Sequence, residues 1–362
     1  KQIDAKQYDN AFNALTHLAQ RYQKHPYVVS VAMKTAAYIY IAQQRYPSAI
    51  IWLQRTLDLS VLPPKELQTI RHDLSQLQLQ DHRYQEAIIT MKAWLKEAQP
   101  SQISPADYQL IAASQFHLKQ YPQAIQTARQ GIKLTGQPHE PLYQVILSSE
   151  IALNDYVAAD DTLSTLVTLA PSRKYYWLQW VSVLEQQGRG DRALAILELM
   201  DKRQMLSTEQ ERIHYIQRLI QQNNAFEAAN RLHQYLSDKQ VLTSLKNQLL
   251  LASAWELGGE SNNAIAVLEQ QMSSQPSNEV LTQLVRIYVK VEKWQTLTTL
   301  LENNLDQPVT KKNEQLYFQL GYAYYQLGTQ NSARKTFHLI AQSEQSSQKA
   351  RRSAKQWLAY IH

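Results

Sequence analysis

Tyr317, Leu320, Gly321 and Tyr324 fall at i, i+3, i+4 and i+7, so they share one face of a helix, and Ala333 and Phe337 share a face of the next. Gly328 supplies the turn between them. A small residue at Gly321 facing another at Ala333 lets two antiparallel helices approach closely, while Tyr324 and Phe337 fill the space around the contact. The arrangement recurs. Small or apolar anchors near the start of a second helix stand at Ala11, Ala49, Ala87, Ala124, Ala159, Ala193, Ala228, Ala264, Leu297 and Ala333, 33 to 38 residues apart. An aromatic lies three residues before the anchor at Tyr8, Tyr46, Tyr84, Tyr121, Tyr156 and Trp294. A period of this length marks stacked helix-turn-helix units, each too small to bury its apolar face alone. The pattern predicts an all-α repeat solenoid over residues 1–345, and in such an array chain length does not count domains.

Prolines punctuate the array. Pro26, Pro63 with Pro64, Pro100, Pro138, Pro171, Pro276 and Pro308 lie between units, where a missing amide and a restricted preceding residue stop one helix before the next begins. Ser101 to Pro105 and Asp306 to Lys312 read as the loosest joints. Residues 346–362 read as a last amphipathic helix, with Ala350, Ala354, Trp357, Leu358 and Ile361 facing inward to cap the final repeat.

Composition removes most other classes. The chain is 44% hydrophobic with 8 Gly and 12 Pro, which excludes disordered and low-complexity readings. Net charge is +6, but 31 acidic residues are interleaved with 37 basic ones. Only Lys349, Arg351, Arg352 and Lys355, joined by Lys311 and Lys312, approach a basic cluster, and a solvated cap helix accounts for it, so nucleic acid is not the expected partner. The absence of cysteine rules out disulfides, thiolate metal sites and cysteine nucleophiles, and fits the periplasm. No stretch is long and apolar enough to span a membrane. The chain begins at Lys1 in mid-helix, with only the second helix of its first unit, so a removed N-terminal signal or anchor is expected.

Chemistry-bearing motifs are lacking. The ten histidines form no metal-binding pair of helical spacing, although His72 and His117 are placed to face a groove, and no metal or cofactor is expected. Asp160 and Asp161 are adjacent, about 100° apart on a helix, and read as a polar face rather than a convergent acid–base pair. Gly188 to Asp191 reads as an inter-helix turn, since no strand precedes it and no phosphate-binding lysine follows. No nucleophile elbow, kinase set or dinucleotide fingerprint is present, so the chain is not expected to be an enzyme.

The unit ending at Phe337 resembles the tetratricopeptide repeat, whose pattern runs aromatic, Leu, Gly, Tyr, then Ala and Phe on the second helix. Trp177 with Ala193, Leu251 with Ala252, Ala264 and Pro276, and Tyr288 with Pro308 carry parts of it elsewhere, and Ala112 and Ala252 stand in for the glycine. The resemblance implies a right-handed superhelical solenoid of about ten divergent helix pairs, whose first helices line a concave face holding an extended peptide or partner helix. Transferred to this chain, that groove comprises Lys34, Tyr38, His72, Gln76, Gln80, Gln109, Phe116, Gln144 and Ser148, then Tyr175, Gln186, Gln217, Gln221, Glu256, Arg286, Lys290, Phe318, Tyr322, Tyr325 and Gln326. Glutamine amides donate and accept, which suits the backbone of an extended peptide. Phe318, Tyr322 and Tyr325 beside Arg286 and Lys290 have the make-up of a binding hot spot. Only Lys34 fills a lysine slot of the carboxylate-clamp subclass, so capture of a C-terminal carboxylate is not expected.

A narrower resemblance covers Pro141 to Met200, centred on APSRKYYWLQWVSVLEQQGRGDRALAILELM, which is similar to periplasmic tetratricopeptide proteins encoded beside TonB, ExbB and ExbD systems of marine gammaproteobacteria. It implies a non-enzymatic protein-protein interaction scaffold accessory to TonB-dependent energy transduction and iron uptake, contacting periplasmic segments of that complex or another envelope protein. Two alternatives stand beside it: a structural or assembly subunit of a polysaccharide, pilus or secretion apparatus, and a cytosolic peptide-binding regulator.

Overall fold

The computed structural model describes residues 5–136 and 138–361; Lys1 and His362 lie outside them. Among the described residues there are twenty α-helices, one short 3-10 turn and no strand. The chain gathers into two compact units, Lys1–Ile196 and Leu197–His362. The first holds α1 (Ala5–Arg21), α2 (Pro26–Ala42), α3 (Tyr46–Leu59), α4 (Pro64–Gln80), α5 (Tyr84–Glu97), α6 (Pro105–His117), α7 (Tyr121–Thr135), α8 (Glu140–Ala152), α9 (Tyr156–Leu169), α10 (Lys174–Gln186) and the start of α11 (Gly190–Lys202). The second holds the end of α11, then α12 (Glu209–Gln221), α13 (Ala225–Ser237), α14 (Leu245–Leu257), α15 (Ser261–Ser274), α16 (Asn278–Lys290), α17 (Trp294–Asn304), α18 (Glu314–Gln326), α19 (Gln330–Gln342) and α20 (Gln348–Tyr360).

From α2 onward the helices alternate as first and second members of nine pairs, with α1 standing alone before them and α20 after. Among the described residues the fold is therefore an all-α repeat solenoid of nine complete pairs, preceded by the lone helix α1 that carries the first anchor, Ala11. The anchor residues all lie on second helices, and from Ala49 to Ala333 each has no exposed surface, Leu297 included; Ala11 on α1 is half-buried. Twelve residues before each anchor the first helix presents Ala37, Ser75, Ala112, Leu147, Val181, Ile216, Ala252, Val285 or Gly321, all buried. These two positions are where paired helices press together. At Gly321 there is no room for more: a Cβ there would lie 2.9 Å from Cζ of Phe337.

The turn inside every pair has one geometry. Five residues before the anchor the chain takes a left-handed conformation at Gln44, His82, Lys119, Asn154, Gly188, Asn223, Gly259, Glu292 and Gly328, with φ between 57° and 87°. The next amide then closes back onto the first helix, as Arg45 N to Tyr40 O at 2.9 Å, Asn224 N to Leu219 O at 2.8 Å and Thr329 N to Tyr324 O at 3.0 Å. This is a Schellman closure, which satisfies a carbonyl that the helix end would otherwise leave open. The carbonyl of that same residue accepts the anchor amide, Ala49 N to Arg45 O at 3.1 Å, so one residue ends the first helix and starts the second.

Between pairs the start signals are side-chain caps and prolines. Pro26, Pro64 and Pro105 occupy the first helical position of α2, α4 and α6, where no amide is needed. Ser104 and Thr208 form capping boxes with Asp107 and Glu211. The two joints expected to be loose are instead pinned. Pro100–Gln102 forms a 3-10 turn that runs into the Ser104 box, and in the later joint Thr310 N donates to Asn313 Oδ1 at 2.7 Å while Lys311 N donates to Gln345 O at 3.1 Å. Asp160 departs from its expected place on a polar face. It is buried and takes Trp180 Nε1 at 2.6 Å, Arg192 Nη1 at 2.6 Å and Arg189 Nη1 at 3.2 Å, which compensates the carboxylate for lost water. Arg189 does so from the turn between α10 and α11, which is shorter than expected because Gly190 and Asp191 already belong to α11.

The cap helix follows its predicted face. Ala350, Ala354 and Ile361 are buried with Tyr317, Ala333, Phe337 and Ile340, and Trp357 and Leu358 pack against them.

Candidate partner-binding surface

First helices of neighbouring pairs are joined by polar contacts that repeat with the period of the chain. In the first unit Lys34 Nζ reaches Glu66 Oε2 at 2.6 Å, the Tyr38 hydroxyl donates to Asp73 Oδ2 at 2.6 Å, and His72 Nε2 lies 2.8 Å from Asp107 Oδ1. The Tyr176 hydroxyl donates to Glu140 Oε1 at 2.6 Å, and Arg173 Nη1 meets the same oxygen at 3.0 Å. In the second unit Asn247 Nδ2 donates to Glu209 Oε1 at 2.8 Å, and Arg286 Nη2 to the buried Glu256 at 2.6 Å, with Lys290 at 3.7 Å. Burial and Asp73 push the Tyr38 phenol well above its ordinary range. The hydrogen bond to Asp107 holds the His72 imidazolium above the usual histidine value against the opposing effect of burial.

These contacts sort the sequence-predicted groove. Lys34, Tyr38, His72, Gln144, Glu256, Arg286 and Lys290 are engaged within the array, Gln144 donating to Glu140 at 3.3 Å. Gln76, Gln80, Ser148, Tyr175, Gln186, Gln217, Gln221 and Gln326 stand exposed on their helices, and Gln109 is half-buried. Phe116 packs its ring on Tyr121 at 5.5 Å. His117 stacks on Tyr84, 4.5 Å apart and 9° from parallel. Among the described residues no group of three or more His, Asp or Glu could hold a metal ion, and no helix is long and apolar enough to cross a membrane.

Phe318, Tyr322 and Tyr325 come together with Trp357, which the sequence places on the inward face of the cap, and with Tyr360, which it does not. Trp357 of α20 stacks on Phe337 at 5.3 Å, Tyr322 and Tyr325 stand edge-on to Trp357 at 5.7 and 5.5 Å, and Tyr360 closes the group. The α18–α20 cleft contains two adjoining hollows of about 640 and 520 Å³; Gln315, Gln319, Lys349 and Ser353 line the larger, and Gln326, Ser353, Gln356 and Tyr360 the smaller. Arg286 and Lys290, the cations of this expected hot spot, are paired with Glu256. Spacing of Trp357 and Tyr360 at i, i+3 was the signal available in the sequence. It did not distinguish a ring that fills the core from one that fills the core with one edge and lines a hollow with the other.

Residues 314–338, covering α18, its turn and most of α19, match the tetratricopeptide repeat family model. The other eight pairs reproduce the same anchor, the same left-handed turn and the same closure. Residues 314–338 are thus similar to a tetratricopeptide repeat, and the chain is an all-α repeat solenoid. Among solved structures it is similar to a tetratricopeptide repeat protein from Parabacteroides merdae, at 13% identity over 72% of this chain and 98% of that one, with a TM-score of 0.42. It is also similar to the C-terminal part of a tetratricopeptide repeat-containing protein from Cytophaga hutchinsonii, at 12% identity over 76% and 96%, TM-score 0.38. A MamA fragment from Desulfovibrio magneticus aligns at 14% identity over 49% and 97%, TM-score 0.37. No curated protein sequence matches the chain. Tetratricopeptide proteins bind proteins or peptides, and the repeat fold is one suited to a protein-protein interaction scaffold.

Proposed function

We propose that this repeat protein is a non-enzymatic scaffold that binds another protein through the first-helix face of its second unit, with the α18–α20 hollow as the anchor. One observation carries the reading: most charged groove candidates are engaged by neighbouring repeats, whereas the aromatic hollow is lined by five rings and left open. Fixed aromatics in a desolvated concavity are what concentrate binding energy at an interface. The absence of cysteine supports a periplasmic setting. A partner within a TonB energy-transduction system is supported by the resemblance of residues 141–200.

A photo-crosslinking residue at Gln319, which lines the hollow, is expected to give discrete protein adducts in cells of the source organism; the same residue at Arg334, exposed on α19, is expected to give none. Absence of adducts from Gln319, or equal adducts from both positions, would overturn the reading. Mass spectrometry of the adduct tests the TonB-system assignment separately.

A further inference from the structure

The rings of the α18–α20 hollow are fixed from behind and open in front. Trp357 lies 8° from parallel with the fully buried Phe337, so its plane is set by the core. Tyr322 meets it at 72°, Tyr325 at 66° and Tyr360 at 87°. Rings that meet edge to face leave slots between them rather than a flat platform, and a flat platform is what stacked nucleobases use. Slots of this kind suit the ridges of a polyproline II segment, whose pyrrolidine rings recur every third residue and whose carbonyls have no internal hydrogen bonds and need outside donors. Donors are at hand. The Tyr322 hydroxyl and Trp357 Nε1 make no hydrogen bond among the described residues, and Gln326 and Gln356 line the same hollow.

Charge selects the partner further. Of the two helices that form the hollow, α20 carries Lys349, Arg351, Arg352 and Lys355 with no carboxylate, and α18 carries Glu314 alone. Glu314 is already occupied, accepting Ser347 N and Oγ at 2.7 Å each. Lys349, Arg351 and Arg352 stand in the first turns of α20, the end where the helix dipole disfavours cations, and none is paired with a carboxylate among the described residues. Helix stability does not explain their placement; an anionic partner would.

We propose that the hollow takes a proline-rich segment of a partner protein with acidic residues beside the prolines. The proposal rests on the reading that this face binds protein. Fluorescence anisotropy of a labelled peptide repeating Glu-Pro-Pro, titrated with the full chain, is expected to show saturable binding. Tyr360→Ala, and separately Lys349→Glu with Arg352→Glu, are expected to weaken it by about tenfold or more. All three side chains are exposed, so circular dichroism should keep the parent signal and melting temperature should not fall, the two glutamates at the start of α20 if anything raising it. Peptides repeating Glu-Ala-Ala or Lys-Pro-Pro are expected to bind about tenfold more weakly, or less. Equal binding of the alanine peptide overturns the role of proline, and equal binding of the lysine peptide overturns that of charge. Displacement of the acidic peptide by single-stranded DNA at lower concentration than by unlabelled peptide overturns the proposal in favour of a nucleic-acid site. Failure of Glu-Pro-Pro to bind overturns it as well, and adducts from Gln319 then show whether protein binding at this face survives without it.

Discussion

Six of the nine left-handed turn residues are not glycine: Gln44, His82, Lys119, Asn154, Asn223 and Glu292. An L-residue in this region costs about 1–2 kcal/mol, asparagine least. The array tolerates it because the conformation is imposed by the closure of one helix and the start of the next. Glu292, at φ 57°, also places a carboxylate at the negative end of the α16 dipole. Glu292→Gly is therefore expected to raise stability by about 1 kcal/mol, read as a higher urea midpoint; an unchanged or lower midpoint would argue against strain at this turn. Gly321 is the opposite case. Its added Cβ would meet the Phe337 ring at 2.9 to 3.1 Å, and the stack on Trp357 keeps that ring from retreating. Gly321→Ala is expected to cost about 1–3 kcal/mol in chemical denaturation.

At the scale of elements, α4 and α6 are held by His72 and Asp107. Burial tends to raise the Asp107 pKa, but hydrogen bonds from His72 and from Ser104 N and Oγ outweigh it and hold the carboxyl below its usual range. The His72 pKa is raised in the folded state, so its contribution is fully present below about pH 6.5 and is lost as pH rises through the raised value. The Asp107 contribution is present above about pH 4 and is lost as pH falls through its lowered value. Between those limits the pair supports the α4–α6 contact most strongly. Urea midpoints measured from pH 6 to 8.5 should decline, and His72→Gln should flatten that decline. A variant that keeps the parent slope would assign the pH dependence to other groups.

Over the whole molecule, packing is local in sequence. Within each unit helices touch chain neighbours, and beyond them first helices meet first helices, as α4 with α6, α6 with α8 and α16 with α18, while α18 also meets the cap helix α20. Stability in such an array is close to a sum of units and nearest-neighbour interfaces. A local defect should then stay local. Hydrogen exchange of Gly321→Ala is expected to quicken in α17 to α20 and to keep parent protection in α2 to α9. Uniform loss of protection along the chain would show longer coupling than the contacts carry.

Period, helix content and pair register follow from sequence, because an alanine or glycine at a fixed spacing is what two helices need where they touch; nine of the ten anchors have no exposed surface. The face of α20 was legible for the same reason, since its apolar residues recur with helical period. Asp160, buried under two arginines and a tryptophan, was not, because its partners come from 20 to 32 residues away and leave no local mark. Nor was the joint at Thr310, where the Lys311 amide is satisfied by Gln345 O in the α19–α20 connection. The groove divides on this line. Helical spacing placed Lys34, Tyr38, Arg286 and Lys290 on first helices, but only packing put a carboxylate opposite each and took them up. Side-chain identity thus determined where helices could meet. Which polar groups remained free, and that Trp357 and Tyr360 would line a hollow with Tyr322 and Tyr325, depended on distances between residues far apart in the chain, which tertiary packing alone sets.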